Sequence, residues 1–89
     1  MKIKLELFGA SRDFSVKDHL LINVNDSCSI VDLRNEILRY LDKNFKSNKD
    51  FIKIVKSSVF CSENNKIISD NYKITKDQKI GIIPPIGGG

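Results

Sequence analysis

Ser29-Ile30-Val31-Asp32-Leu33-Arg34-Asn35-Glu36-Ile37-Leu38-Arg39-Tyr40-Leu41-Asp42-Lys43-Asn44-Phe45 is the stretch on which the fold turns. Ile30, Leu33, Ile37, Leu38, Leu41 and Phe45 recur at spacings of three and four, which is one apolar face of an amphipathic helix. Ser29 suits the N-cap, because its hydroxyl can accept from an otherwise unpaired amide of the first turn. Asp32 adds a carboxylate near the positive helix end, in a variant of the capping box. Arg39 and Lys43 fall late, so the charge order also suits the helix dipole. A helix with one long apolar face needs a partner layer, and the flanking sequence supplies strands.

On the N-terminal side, residues 2–8 alternate strictly. Ile3, Leu5 and Leu7 lie on one face, and Lys2, Lys4, Glu6 and Phe8 on the other. Gly9-Ala10-Ser11-Arg12-Asp13 breaks the run as a loop. His19-Leu20-Leu21-Ile22-Asn23-Val24 is short enough for a second strand, ended by Asn25-Asp26. The two are close enough in sequence to form a hairpin.

On the C-terminal side, Lys46-Ser47-Asn48-Lys49-Asp50 reads as a loop. Phe51-Ile52-Lys53-Ile54-Val55-Lys56 fits either a short strand or a turn of helix. Residues 57–61 read as a strand, Glu63-Asn64-Asn65-Lys66 as a turn, and 66–69 as a short returning strand. Asp70-Asn71-Tyr72 is a polar connection, with Tyr72 and Ile74 expected to pack beneath it. Residues 75–78 form a turn, and Lys79-Ile80-Gly81-Ile82-Ile83 is a last strand that runs into Pro84. The order predicts an α+β fold in which a mixed sheet packs on one main helix, that is, a β-grasp or ubiquitin-like domain. If the last strand lies beside the first, the C-terminus is expected to leave from the sheet edge. The domain is expected to span residues 1–83, with 84–89 as a projecting tail.

The bulk properties exclude several classes. Eighty-nine residues, 40% of them apolar, make one small folded domain. No run is long enough to span a bilayer, and the N-terminus alternates charge and hydrophobe where a signal peptide needs an unbroken apolar stretch. A cytoplasmic protein without membrane contact is expected. Cys28 and Cys61 form no CxxC pair and His19 is not at ligand spacing from either, so no metal site is expected. The cysteines are expected to be reduced and semi-buried, without a relay role, and His19 to be an edge-strand residue. The net charge of +4 is mild. Lys43, Lys46, Lys49, Lys53 and Lys56 are interrupted by Asp50 and have few aromatics among them, so a solvated surface is expected and not a nucleic-acid site.

The candidate functional residues are the last six. Pro84 and Pro85 cannot donate to a sheet and favour an extended path. Gly87, Gly88 and Gly89 are slender enough to enter a narrow channel that any side chain would block. From Pro84 to Gly89 the chain spans at most about 20 Å. A frayed terminus would also account for three glycines, but it gives no purpose to the apolar Ile86 beside them. No side chain in the last three residues can do chemistry, which leaves the carboxylate of Gly89 as the reacting group.

Ile82-Ile83-Pro84-Pro85-Ile86-Gly87-Gly88-Gly89 resembles the C-terminal signature of the small, sulfur-carrier subunit of molybdopterin synthase, in the ubiquitin-like sulfur-carrier family. That signature is a hydrophobic strand, Pro-Pro, an aliphatic, a small residue and a terminal Gly-Gly. Leu5 to Asp13 is similar to that family's first strand and loop. Residues 74–80 occupy its turn before the last strand, with Lys76 where a glycine is usual. Residues 43–60 show no clear correspondence. The resemblance implies that a ubiquitin-activating-like adenylyltransferase uses ATP to adenylate Gly89, and that sulfur transfer makes a thiocarboxylate. The tail (Pro84, Pro85, Ile86, Gly87, Gly88) then inserts into the large catalytic subunit in an assembly of two small and two large subunits. There sulfur passes to cyclic pyranopterin monophosphate in molybdenum cofactor synthesis. On this reading the chain binds no cofactor and has no catalytic side chains. Phe8, Ile80 and Ile82, beside the tail, are the expected docking surface. The alternatives are a carrier for tRNA thiolation, cysteine or thiamine synthesis, a ubiquitin-like modifier, or a plain interaction domain with an inert tail.

Overall fold

The computed structural model describes residues 1–46 and 48–85. The alternation at the N-terminus becomes β1 (Lys2–Leu7), which turns back through a 3-10 segment at Gly9–Phe14 into β2 (His19–Asn23). The two pair antiparallel, as the expected hairpin. A two-residue strand, β3 (Cys28–Ser29), leads into α1 (Ile30–Phe45). Ser29 caps α1 as its sequence predicts: its hydroxyl accepts from the Asp32 amide at 3.2 Å, and the Asp32 carboxylate accepts from the Ser29 amide at 3.0 Å. The Ser29 bonds hold the Asp32 carboxyl below the usual carboxylate range.

The ambiguous segment is a helix, α2 (Lys49–Ser57). The Asn48 side chain accepts from the amides of Asp50 and Phe51, so the loop before it ends in a cap. Phe51, Ile54 and Val55 then fall on the inward face, and Val55 is fully buried. Because α2 takes Ser57, the following strand is shorter than expected, β4 (Val59–Cys61). It pairs antiparallel with β5 (Ile67–Ile68). A further two-residue strand, β6 (Lys73–Ile74), pairs with β3 in a separate small sheet. Ile74 packs in the core as expected, but the Tyr72 side chain is exposed, and its backbone carbonyl accepts from the Ile30 amide while its amide donates to the Ser69 carbonyl.

The last strand, β7 (Gln78–Ile83), lies parallel to β1 and antiparallel to β4. The main sheet therefore has the order β2-β1-β7-β4-β5. β7 is the central strand, so the chain leaves from the end of the sheet's middle and not from its edge. Ile3, Leu5 and Leu7 of β1, Ile80 and Ile82 of β7, and Phe60 of β4 face Leu33, Ile37 and Leu41 of α1 across one core. Leu38 and Phe45 of the predicted apolar stripe sit at its rim. Phe14, Phe45 and Phe51 close the end of the core, with neighbouring ring centroids 5.0 Å apart.

One partly buried cation ties the layers together. Arg34 on α1 donates to the carbonyls of Val55 at 2.6 Å and Ser58 at 2.9 Å, and to the Asp70 carboxylate at 2.8 Å. Its guanidinium also lies 4.8 Å from the Phe60 ring centroid. These contacts satisfy the C-terminal carbonyls of α2 and fix the junction into β4.

Candidate functional site

The site is built where β7 ends. Ile83 is the last strand residue, and Pro84 follows without a donor to continue the ladder. Pro84 is itself buried. Gly9 sits opposite with φ +55, a conformation glycine adopts without strain, and a methyl group there would lie 3.8 Å from the Pro84 ring. On the other side a groove of about 330 Å³ is lined by Ala10, Asp50, Lys53, Ile54, Ser57, Pro84 and Pro85. Packing thus continues one residue beyond the expected end of the globular part, and Pro85 is the first exposed residue. Ile86, Gly87, Gly88 and Gly89 lie outside the described residues.

The expected docking surface needs correction. Ile80 and Ile82 are both 0% exposed, because they point inward and cover α1. Their strand neighbours occupy the outer face. Phe8, just past β1, is 44% exposed and lies over Gly81, where an added Cβ would come within 2.9 Å of the ring and 2.7 Å of Cys61 Sγ. Gly81 therefore makes room for Phe8. Ile83 is half-buried and pairs across the ladder with Val59, which is 45% exposed. Ile67, paired with Cys61, extends the same face. Phe8, Gly81, Ile83, Val59 and Ile67 thus form an apolar patch that runs up to the point where the tail leaves. An ion pair between Lys79 Nζ and Glu6 at 2.8 Å borders it, and the hydrogen bond from Glu6 raises the Lys79 pKa.

Among the described residues, neither cysteine nor the histidine is placed at this exit as a nucleophile or base. Cys28 is buried and hydrogen-bonds the Ser29 carbonyl, and burial pushes its thiol pKa up, the opposite of what a reactive thiolate needs. Both cysteines are free, and Cys61 lies beneath the outer patch. His19 opens the edge strand β2, its ring meets the Asp18 carboxylate at 3.0 Å, and β1 separates it from β7. Among the described residues no group of three His, Cys, Asp or Glu side chains could hold a metal ion. Among them, too, no helix is long and apolar enough to cross a membrane.

No protein-family model matches the sequence, and no curated protein matches it. Solved structures do. The chain is similar to the Pyrococcus furiosus protein described as molybdopterin converting factor, subunit 1. The match covers 96% of this chain and 98% of that one, with 21% identity and a TM-score of 0.70. It is also similar to SAMP1 from Haloferax volcanii, over the whole of both chains, with 12% identity and a TM-score of 0.68. At these identities the likeness is one of architecture, and the chain shares with both proteins a ubiquitin-like β-grasp fold.

Proposed function

We propose that this protein is a sulfur carrier whose reacting group is the main-chain carboxylate of Gly89, and that it serves as the small subunit of molybdopterin synthase. The observation that carries the reading is the exit of the central strand: β7 runs past an exposed apolar patch into a seated Pro84, and Pro85-Ile86-Gly87-Gly88-Gly89 follows. A partner can dock on Phe8, Ile83 and Val59 while the glycines, bare of side chains, enter its channel. The likeness in fold to a protein described as a converting-factor subunit supports both the carrier role and a partner subunit.

The chemistry needs no side chain from this chain. A carboxylate oxygen attacks the α-phosphorus of ATP in the active site of an adenylyltransferase, and pyrophosphate leaves. Sulfur from a donor at the oxidation level of sulfide then displaces AMP and leaves a thiocarboxylate. In the large subunit that sulfur adds to cyclic pyranopterin monophosphate, and water returns the oxygen to Gly89.

Incubating the purified chain with a ubiquitin-activating-like adenylyltransferase, ATP and a sulfide donor tests this. Mass spectrometry is expected to show one oxygen replaced by sulfur on the C-terminal peptide. Deleting Gly88-Gly89 abolishes that product while circular dichroism and thermal unfolding stay unchanged. Adding the large subunit and the pterin precursor then distinguishes molybdopterin synthesis from other sulfur-carrier pathways. Isopeptide conjugates to lysines in place of a thiocarboxylate would overturn the carrier reading in favour of a modifier.

A further inference from the structure

The helix α2 carries a second surface that flanks the tail exit. Lys49, Lys53 and Lys56 are its cations, and all three are exposed. At about 100° per residue they fall within about 60° of one another around the helix axis, so they form one row. Along that axis they are separated by about 6 Å and about 4.5 Å. Among the described residues none of the three forms an ion pair. The other side of α2 faces the core, where Val55 is buried and Phe51 packs between Phe14 and Phe45.

The lysine row borders the groove of about 330 Å³ at the tail exit. Lys53 belongs to both, and Ile54 and Ser57 continue the groove wall along one flank of α2. Ala10, Ile54 and the two proline rings give the groove an apolar lining, and Asp50 is the single carboxylate in it. Asp50 sits in the first turn of α2, where the positive helix end offsets its charge. An apolar floor and a cationic rim thus lie beside Pro84 and Pro85, the start of the segment that a partner must grasp.

We propose that this surface receives an extended acidic segment of the protein that takes the tail, with aliphatic side chains in the groove and carboxylates on Lys49, Lys53 and Lys56. It rests on the reading that a partner draws in the tail, and it names the chemistry of that partner's contact. Alternate residues of an extended chain repeat every ~6.6–7 Å and point to opposite sides. That repeat is close to the separation of Lys49 and Lys53, so a Glu-Leu-Glu pattern can serve the row and the groove together. The cations favour an acidic occupant and oppose a second copy of a chain whose net charge is +4. A single-stranded nucleic acid would match the charge, but such strands are held by bases stacked on open rings. The rings at this end, Phe14, Phe45 and Phe51, pack on one another instead.

The probe is a synthetic peptide, acetyl-Glu-Leu-Glu-Leu-Glu-Leu-Glu amide, titrated into the full chain and followed by amide NMR. No ATP or sulfur donor is present, so failure of the sulfur chemistry and failure of this contact are read separately. Saturable shifts are expected at Ala10, Lys53, Ile54 and Ser57, with affinity that falls as salt rises. Combining Lys49→Glu, Lys53→Glu and Lys56→Glu is expected to weaken binding at least about tenfold and to flatten that salt dependence. Ala10→Glu sets a carboxylate at an exposed position of the opposite groove wall and is expected to weaken binding roughly threefold. This variant lies outside α2 and keeps the test decisive if the triple reversal unsettles the helix. Shifts confined to another surface, or binding unchanged by these variants, would overturn the proposal. So would tighter binding of a single-stranded thymidine oligonucleotide than of the peptide, which would make a nucleic acid the occupant. A large gain in peptide affinity on deleting Gly88-Gly89 would also overturn it, by making the chain's own tail the occupant.

Discussion

The two faces of the central strand differ in kind although they are separated by single residues. On the inner face, Ile80 and Ile82 join Leu5, Leu7 and Phe60 over α1 and are sealed from solvent. On the outer face, Gly81 is covered by Phe8, and Ile83 lies half in water beside Val59. One face supplies stability and the other remains available to a partner. The alternation of side chains along a strand lets β7 do both in six residues. Truncations on the two faces should therefore separate stability from recognition.

The largest expected effect tests that separation directly. Ile82→Ala leaves a cavity in the core and is expected to destabilise the fold by about 2–5 kcal/mol. Ile83→Ala is expected to change stability by less than about 1 kcal/mol, yet to weaken binding to the proposed partner subunit. Urea denaturation with a parallel binding measurement checks both, and equal stability losses would show that the faces do not divide the work. Next in size, Arg34→Met removes the donor to the Val55 and Ser58 carbonyls, at about 1–3 kcal/mol for each carbonyl left dry. The loss belongs to the covered face, so sulfur-transfer activity per folded molecule should survive.

A smaller change sharpens the outer face. Gly81→Ala adds a Cβ into the space used by Phe8 and Cys61, and is expected to cost about 1–2 kcal/mol while displacing the Phe8 ring. If partner affinity is unchanged when Phe8 moves, the outer patch is not the docking surface. The smallest effect lies at the start of α1. Ser29→Ala is expected to cost about 1 kcal/mol by removing the cap. The linked Asp32 carboxyl has a depressed pKa in the folded chain, so its stabilisation is present above the usual carboxylate value and is lost as pH falls through the depressed one. Stability of the native chain should thus decline below about pH 4 in a way that Asp32→Asn reduces.

Where periodicity was long, the sequence was readable. Residues 30–45 and 2–7 each gave several repeats of one period, so α1, its cap and β1 were legible. Phe51 to Lys56 was not, because Ile52 and Ile54 alternate like a strand while Phe51, Ile54 and Val55 recur like a helix. The cap from Asn48 decides between them, and it was a signal available in the sequence. β3 and β6 have two residues each, too few to show any period. Ile80 and Ile82 lie close to the tail in sequence, but they have the inward parity that β1 already shows, so they are buried while Phe8 is exposed. The central place of β7 depends on pairing between residues about 75 apart in sequence, which local pattern does not reveal.

That central place has a mechanical consequence. A partner that draws in the tail pulls on Pro85 along the axis of β7. The strand is held on one side by β1, in parallel register from Ile3↔Gln78 to Leu7↔Ile82, and on the other by β4, from Val59↔Ile83 to Cys61↔Gly81. The load therefore falls across both ladders in shear, and their bonds must give way together and not one at a time. An edge strand, or one loaded from the side, would peel. The sheet instead works as a grip that resists unthreading while the tail is handled from outside.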